Sequence, residues 1–356
     1  MTYFERCAVA LLGAMIVVLI GAAVHIPLDI RTVAPKATFL DAASAPIPPR
    51  YDFRLDDFGG QAAAVPEAKP VQPRDTVETV FTTFAEMGYH LDAVLSGRDP
   101  VPRLILASIP AGLEDVAEAK VRKALFVQTV LPLVLKVNEE ILKDRQRLWK
   151  IRVAKASGRK LDALDRLWIA VASDRYKVGR GDLDALLARI DIVPPSIALA
   201  QAAEESGWGT SRFAREGNAI FGQWTFSPRS RGLTPRERAE GQKHRIRTFE
   251  NLLESVRAYA LNLNTHSAYR DFRRVRASLR GEGRPLTGMP LLPTLTAYSE
   301  RGVDYLRNLH QIMTINDLDR ADEVRLRDHE DSGLQVAGDE PAAPKDMQTA
   351  GSDGTI

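Results

Sequence analysis

A mainly α-helical fold with one small β-hairpin lobe is what this sequence predicts, on three observations. Apolar residues recur at helical spacing through most of the chain's middle. Proline, glycine and capping residues punctuate those runs, as at Pro194-Pro195, Ser196 and Gly207. Residues 233–249 (LTPRERAEGQKHRIRTF) instead read as two polar strands turning near Glu240-Gly241.

Taken in order, residues 77–87 and 113–126 are short amphipathic helix candidates. Residues 125–149 form a long one, with Phe126, Val130, Leu133, Val137, Ile141 and Leu148 on one face. Pro132 should kink it, because proline removes a backbone donor and its ring crowds the preceding turn. Residues 162–171 and 183–190 are further helices. Ser196 is a natural cap for the next helix. That helix should end at Gly207, where glycine adopts a left-handed conformation at little cost. Helices resume over 251–264 and 294–313.

The chain has 356 residues, room for one large domain or two modest ones, and 48 basic residues against 46 acidic give a net charge of +2. Such a balance makes no electrostatic case for nucleic acid. The cluster Arg270, Arg273, Arg274, Arg276, Arg280 and Arg284 reads as a solvated helix face rather than a nucleic-acid surface. A single cysteine, Cys7, excludes an internal disulfide framework and a cysteine-based zinc site.

An uncharged apolar run of 17 residues, 8–24, follows Arg6. It is longer than the ~7–15 residues of a signal-peptide core and reaches the ~17–25 of a spanning helix. An uncleaved anchor is favoured over a cleaved signal, and either exports the rest of the chain. The expected organisation is an anchor or signal peptide at 1–25, a Pro/Ala-rich linker at 26–75, a helical domain at 76–320 and a disordered acidic tail at 321–356.

The most informative stretch begins Ser196-Ile-Ala-Leu-Ala-Gln-Ala-Ala-Glu-Glu205-Ser-Gly-Trp-Gly209 and continues to Asn218-Ala-Ile-Phe-Gly222. An alanine-rich helix ends in a carboxylate, then comes a Gly-Trp-Gly turn and a loop with an amide, a ring and another glycine. So placed, a carboxylic acid sits at the lip of a cleft beside flat surfaces suited to a sugar ring. A general acid for glycoside cleavage must hold its proton near neutral pH, well above the ordinary ~4.3 for Glu. The negative end of the helix dipole and burial against Trp208 would both push Glu205 that way. Glu204 points about 100° away around the helix and cannot share the role. Trp208 reads as a cleft wall, and Phe221 and Trp224 as either wall or core.

These residues resemble the glucosaminidase family, glycoside hydrolase family 73, whose members carry an AQAALESGWG-type motif followed by an NLFG-type motif. The segments 131–141, 191–196, 262–269 and 298–305 are similar to its Bax-type branch of bacterial proteins. The resemblance covers about residues 76–320, with Glu204 standing where many relatives have Leu. It implies a lysozyme-like helical domain with a β-lobe that cleaves the β-1,4 bond on the N-acetylglucosamine side of peptidoglycan. By position it implies Glu205 as proton donor and Glu237, rather than Glu240, as a second carboxylate on the hairpin. Glu237 either activates water in an inverting reaction or matters less, if the substrate's own acetamido oxygen attacks. Tyr298 is implied to orient the acetamido group or line the cleft, with Tyr305 in the core. Asn218 either donates to sugar hydroxyls or caps its loop.

His244, His266 and His310 are scattered, so no metal is expected, and no cofactor. The expected partners are glycan strands and, through the amino-terminal helix, the inner membrane, which puts the protein on the periplasmic side of a bacterial envelope. Two alternatives stay open: a lytic transglycosylase on a related fold, although the Gly-Leu-Met-Gln typical of that class is absent, and a non-catalytic glycan-binding scaffold.

Overall fold

The computed structural model describes residues 75–225, 231–234 and 245–328. The expected anchor, nearly all of the linker, the chain beyond 328, Glu237 and the Glu240-Gly241 turn lie outside the described residues. Within these, no helix is long and apolar enough to cross a membrane.

Helix α1 (Val77–Glu86) starts where the Thr76 hydroxyl accepts from the Thr79 amide, and α2 (Leu91–Leu95) follows. The helix expected over 113–126 is a correction. Only Leu113–Asp115 form a 3-10 turn, and the long helix α3 starts separately and runs Ala119–Ala156. It continues through Pro132 without interruption. Leu131, Leu133 and Val134 around the proline are all buried, and tertiary packing there outweighs one missing donor. Helix α4 (Ala163–Arg175) is capped by Asp162 and α5 (Leu183–Arg189) by Asp182.

Helix α6 (Pro195–Ser206) carries the Glu205 motif. Ser196 is not its cap but lies inside the first turn. Its amide donates to Asp322 Oδ1 (2.9 Å) and its hydroxyl to Oδ2 (2.7 Å). A carboxylate from 126 residues away therefore satisfies a helix N-terminus that no local side chain caps. The Gly288 amide donates to the same Asp322 Oδ2 (2.7 Å). A Cβ on Gly288 would come within 2.2 Å of Ser196 Oγ, so only glycine fits that approach.

Helix α7 (Arg212–Gly217) leads into a three-stranded antiparallel sheet of β1 (Trp224–Thr225), β2 (Gly232–Leu233) and β3 (Arg245–Arg247), in the order β1-β3-β2. Leu233 pairs with Ile246, the hairpin pairing expected from the sequence, and β1 adds a third strand. Helix α8 (Leu252–Thr265) is capped by Asn251, and α9 (Arg270–Gly281) and α10 (Gly288–Leu291) follow. The helix expected over 294–313 is two elements, a 3-10 stretch (Leu292–Tyr298) and α11 (Val303–Ile315). Gly302, at φ 52°, lies in the break between them. A last 3-10 turn, Leu318–Asp322, closes on the body, and Ala321 and Leu326 are buried.

Helix α6 is the axis. Its apolar and small residues from Ile197 to Ala203 are buried on every side, against α3, α10, α11 and the last 3-10 turn. Alanines at 198, 200, 202 and 203 let those neighbours approach closely. Asn138 of α3 fixes the approach to it, donating to the Val193 carbonyl (2.8 Å) and accepting from its amide (3.1 Å).

The arginine cluster is only in part a solvated face: Arg270, Arg274, Arg280 and Arg284 are exposed, whereas Arg273 and Arg276 are buried. Arg276 is fully buried and donates to the carbonyls of Ala188, Asp191 and Ile192 at 3.1, 3.1 and 2.8 Å. Arg273 is also buried and serves the carbonyls of Leu263 and His266. Arg280 grips the Asp191 carboxylate with two bonds (3.0 and 2.7 Å), and Arg145 reaches the Ile190 carbonyl (2.9 Å). The guanidinium groups thus close helix C-termini, where carbonyls lack partners and positive charge is favoured. Burial pushes the Asp191 carboxyl up, but Arg280, Arg276 and Arg145 outweigh it and hold it below its ordinary 3.8. Its contribution to stability is present above that value and is lost as pH falls through the folded-state value. Urea midpoints measured from about pH 6 down to about pH 2 should fall steeply at the acid end, and Asp191→Asn should flatten that fall.

Candidate active site

Glu205 sits in the last turn of α6, partly exposed among buried neighbours. The turn that follows is unusual. Gly207, Trp208 and Gly209 all take positive φ, at 58°, 58° and 82°. A left-handed tryptophan is disfavoured by roughly 1–2 kcal/mol, so the surroundings must impose it. They do so from both sides. The Ser206 hydroxyl accepts from the Gly209 amide (2.8 Å), and the amides of Trp208 and Ser211 donate to the carbonyls of Ala203 and Ser206. A Cβ on Gly209 would meet Phe126 at 2.9 Å and Leu113 at 3.0 Å. The Trp208 ring stays partly exposed, packed edge-on to Phe126 (5.8 Å) with Lys123 Nζ 4.8 Å from its centroid.

The second loop closes against the carboxylate. Asn218, left-handed at φ 52°, ends α7, and its amide nitrogen donates to the carbonyls of Phe249 (3.2 Å) and Glu250 (3.3 Å). Those bonds tie the loop to the chain leaving β3. Gly222 (φ 58°) lies directly beside Glu205, so that a Cβ there would be 3.0 Å from Oε2.

Beneath the carboxylate lies a buried aromatic layer. Phe221 stacks on Tyr259 (3.8 Å, 6°), and Tyr298 stacks on Tyr305 (5.7 Å, 3°). A directed chain of hydrogen bonds runs through it. The Tyr259 hydroxyl donates to Gln201 Oε1 (2.7 Å), Gln201 Nε2 donates to the Tyr305 oxygen (2.9 Å), and Tyr305 is hydrogen-bonded to the Glu205 carboxylate. The Tyr298 hydroxyl instead donates to the Phe221 carbonyl (3.2 Å), holding the loop. Burial pushes the hydroxyls of Tyr259, Tyr298 and Tyr305 well above their ordinary range, and the charge on Glu205 adds to it. All three stay protonated donors. Glu204 turns aside to pair with Arg301, whose guanidinium lies 5.5 Å from the Tyr305 ring centroid.

The structure thus brings Glu205, Gly222, Phe221, Tyr298 and Tyr305 together. Phe221 and Tyr298 lie beneath the surface, and Asn218 directs its amide nitrogen into loop carbonyls. Gln201, Tyr259 and Arg301 escaped the sequence reading, as did the link from Tyr305 to the carboxylate. One signal for Gln201 was present, since it lies one helical turn before Glu205 and shares its face. Among the described residues no group of His, Cys, Asp and Glu could hold a metal ion.

Residues 182–316 match the glucosaminidase family, described as mannosyl-glycoprotein endo-beta-N-acetylglucosaminidase. The chain is also similar to the protein bax of Escherichia coli (strain K12), at 34% identity over 190 residues. That match covers 52% of this chain and 66% of the relative. No solved structure matches.

Proposed function

Since this chain is a glucosaminidase-domain protein of the Bax type, we propose that it is a peptidoglycan hydrolase of lysozyme-like architecture, acting on the β-1,4 bond between N-acetylglucosamine and N-acetylmuramic acid. One observation carries the reading. A partly exposed carboxylate at a helix C-terminus is held from below by Tyr305 and flanked by a glycine that leaves it room.

In this mechanism Glu205 protonates the glycosidic oxygen of the leaving sugar. Ionisation beforehand is opposed by the carbonyl end of α6. Once the proton is gone, the Tyr305 hydroxyl stabilises the carboxylate, as a phenol donating to an anion does. Trp208 offers a partly exposed ring to the glycan. Asn218, Phe221 and Tyr298 act on the substrate by shaping the loop around Gly222. Glu237, on the segment between β2 and β3, activates water in an inverting reaction, a role that shrinks if the substrate's acetamido oxygen is the nucleophile. With the apolar run at 8–24 as anchor or signal, the domain works on the periplasmic face of the inner membrane, at glycan strands.

Product analysis tests the reading. Mass spectrometry of peptidoglycan digested by the protein should show reducing-end N-acetylglucosamine. Anhydro-muramic ends would make it a lytic transglycosylase, and an absence of products a binding protein. A subtler expectation concerns Gly222. Gly222→Ala places a methyl group against Glu205 Oε2 at a left-handed φ, so turnover should fall at least about tenfold while stability drops by only about 1 kcal/mol. Steady-state kinetics beside a thermal melt would separate the two.

A further inference from the structure

A second polar site lies away from Glu205. A cavity of about 60 Å³ opens between α3, α8 and the end of α4, lined by Glu140, Asp144, Arg175, Tyr176, Arg257 and Asn264 over an apolar floor. Some of its charge is already matched. Glu140 accepts two bonds from Arg257, at 2.9 and 2.8 Å. Three groups lack a direct partner. Asn264 is completely buried and donates its amide nitrogen to the Asp191 carbonyl (2.9 Å), while its Oδ1 has no hydrogen-bond partner. A buried acceptor left so costs about 1–3 kcal/mol unless something binds it. Asp144 is half-buried without a hydrogen bond or ion pair, and burial pushes its carboxyl up. Arg175 stands exposed at the rim, 6.0 Å from the ring of Tyr176, where it forms no ion pair and its charge acts on Asp144.

These groups select the ligand's charge. A bare cation would face Arg175 and Arg257, and a bare anion would face Asp144 and Glu140. A ligand carrying both signs a few ångströms apart meets neither repulsion. We propose that this cavity binds the zwitterionic head group of an amino acid, its ammonium between Asp144 and Asn264 Oδ1 and its carboxylate on Arg175. The volume is about that of two waters, enough for the head group and too little for a side chain, which must point outward. An ordinary peptide end carries only one of the two charges and is excluded. A free amino acid fits, and so does a diamino-diacid side chain in a wall peptide, whose distal carbon bears both groups.

Isothermal titration of the full chain with glycine, D-alanine, ethylamine and acetate tests this without any assay of hydrolysis. Glycine and D-alanine should bind at least about tenfold tighter than ethylamine or acetate. Asp144→Asn and Arg175→Gln should each weaken them by about tenfold or more, with Asp144→Asn leaving the melting temperature unchanged. A soluble muropeptide with a free diamino-diacid end that binds tighter than glycine assigns the site to the wall, and equal or weaker binding assigns it to free amino acids. Ordered water as the sole occupant would show as no saturation by glycine or D-alanine below roughly 10 mM, which overturns the proposal, as would variants that bind as well as wild type.

Discussion

Glu205→Gln is expected to reduce release of reducing-end sugar from peptidoglycan by about 10³-fold or more, the upper part of what a positioned proton donor supplies. The substitution keeps shape and volume. Gln can still accept from Tyr305 and still sits beside Gly222, so the melting temperature should stay close to wild type. What is lost is the acid alone. If the variant retains turnover within tenfold of wild type, the proton donor is elsewhere. Glycan binding should survive the substitution, and a pull-down on insoluble peptidoglycan checks that independently.

Arg276→Ala should be the most damaging change to the fold, at about 3–5 kcal/mol. The guanidinium is fully buried, and burial pulls its pKa down to about 10, so it remains charged at neutral pH. Its removal strips donors from the carbonyls of Ala188, Asp191 and Ile192, weakens the charge balance around Asp191 and leaves a cavity beneath Phe272. Arg276→Met fills most of that space without donating, so it should lose less. Urea unfolding reads both. A loss below about 1 kcal/mol for the alanine variant would mean that these carbonyls find water instead. Because Asp191 and Ile192 lead directly into α6, activity should drop together with stability.

What could be read in the sequence was what is locally determined. The helix starts expected at 162 and 251 fall where Asp162 and Asn251 cap α4 and α8, and Gly207 ends α6 in the left-handed conformation, because each acts within a few residues of itself. Ser196 shows the limit. Its type and place suit a cap, but the acceptor for that helix start is Asp322, and no window of sequence connects the two. Arg273 and Arg276 mislead for a similar reason. Lys and Arg are mostly exposed as a class, and their carbonyl partners here come from the ends of α5 and α8. The site divides the same way. Glu205 and Gly222 stand out by motif, whereas the Tyr259–Gln201–Tyr305 chain needs three helices brought together before it exists. Tyr305 was expected in the core and is there, yet it also touches the carboxylate.

The brace between Ser196, Gly288 and Asp322 bears on where this protein can be cut. The stretch that matches the glucosaminidase family ends at 316, six residues before that aspartate, and α3, on which α6 rests, precedes that stretch entirely. A fragment trimmed to the shared stretch would carry the acidic side chain on a helix with a bare start and no floor. The portable cassette is accordingly larger than the inherited signature, and it needs both flanks to fold.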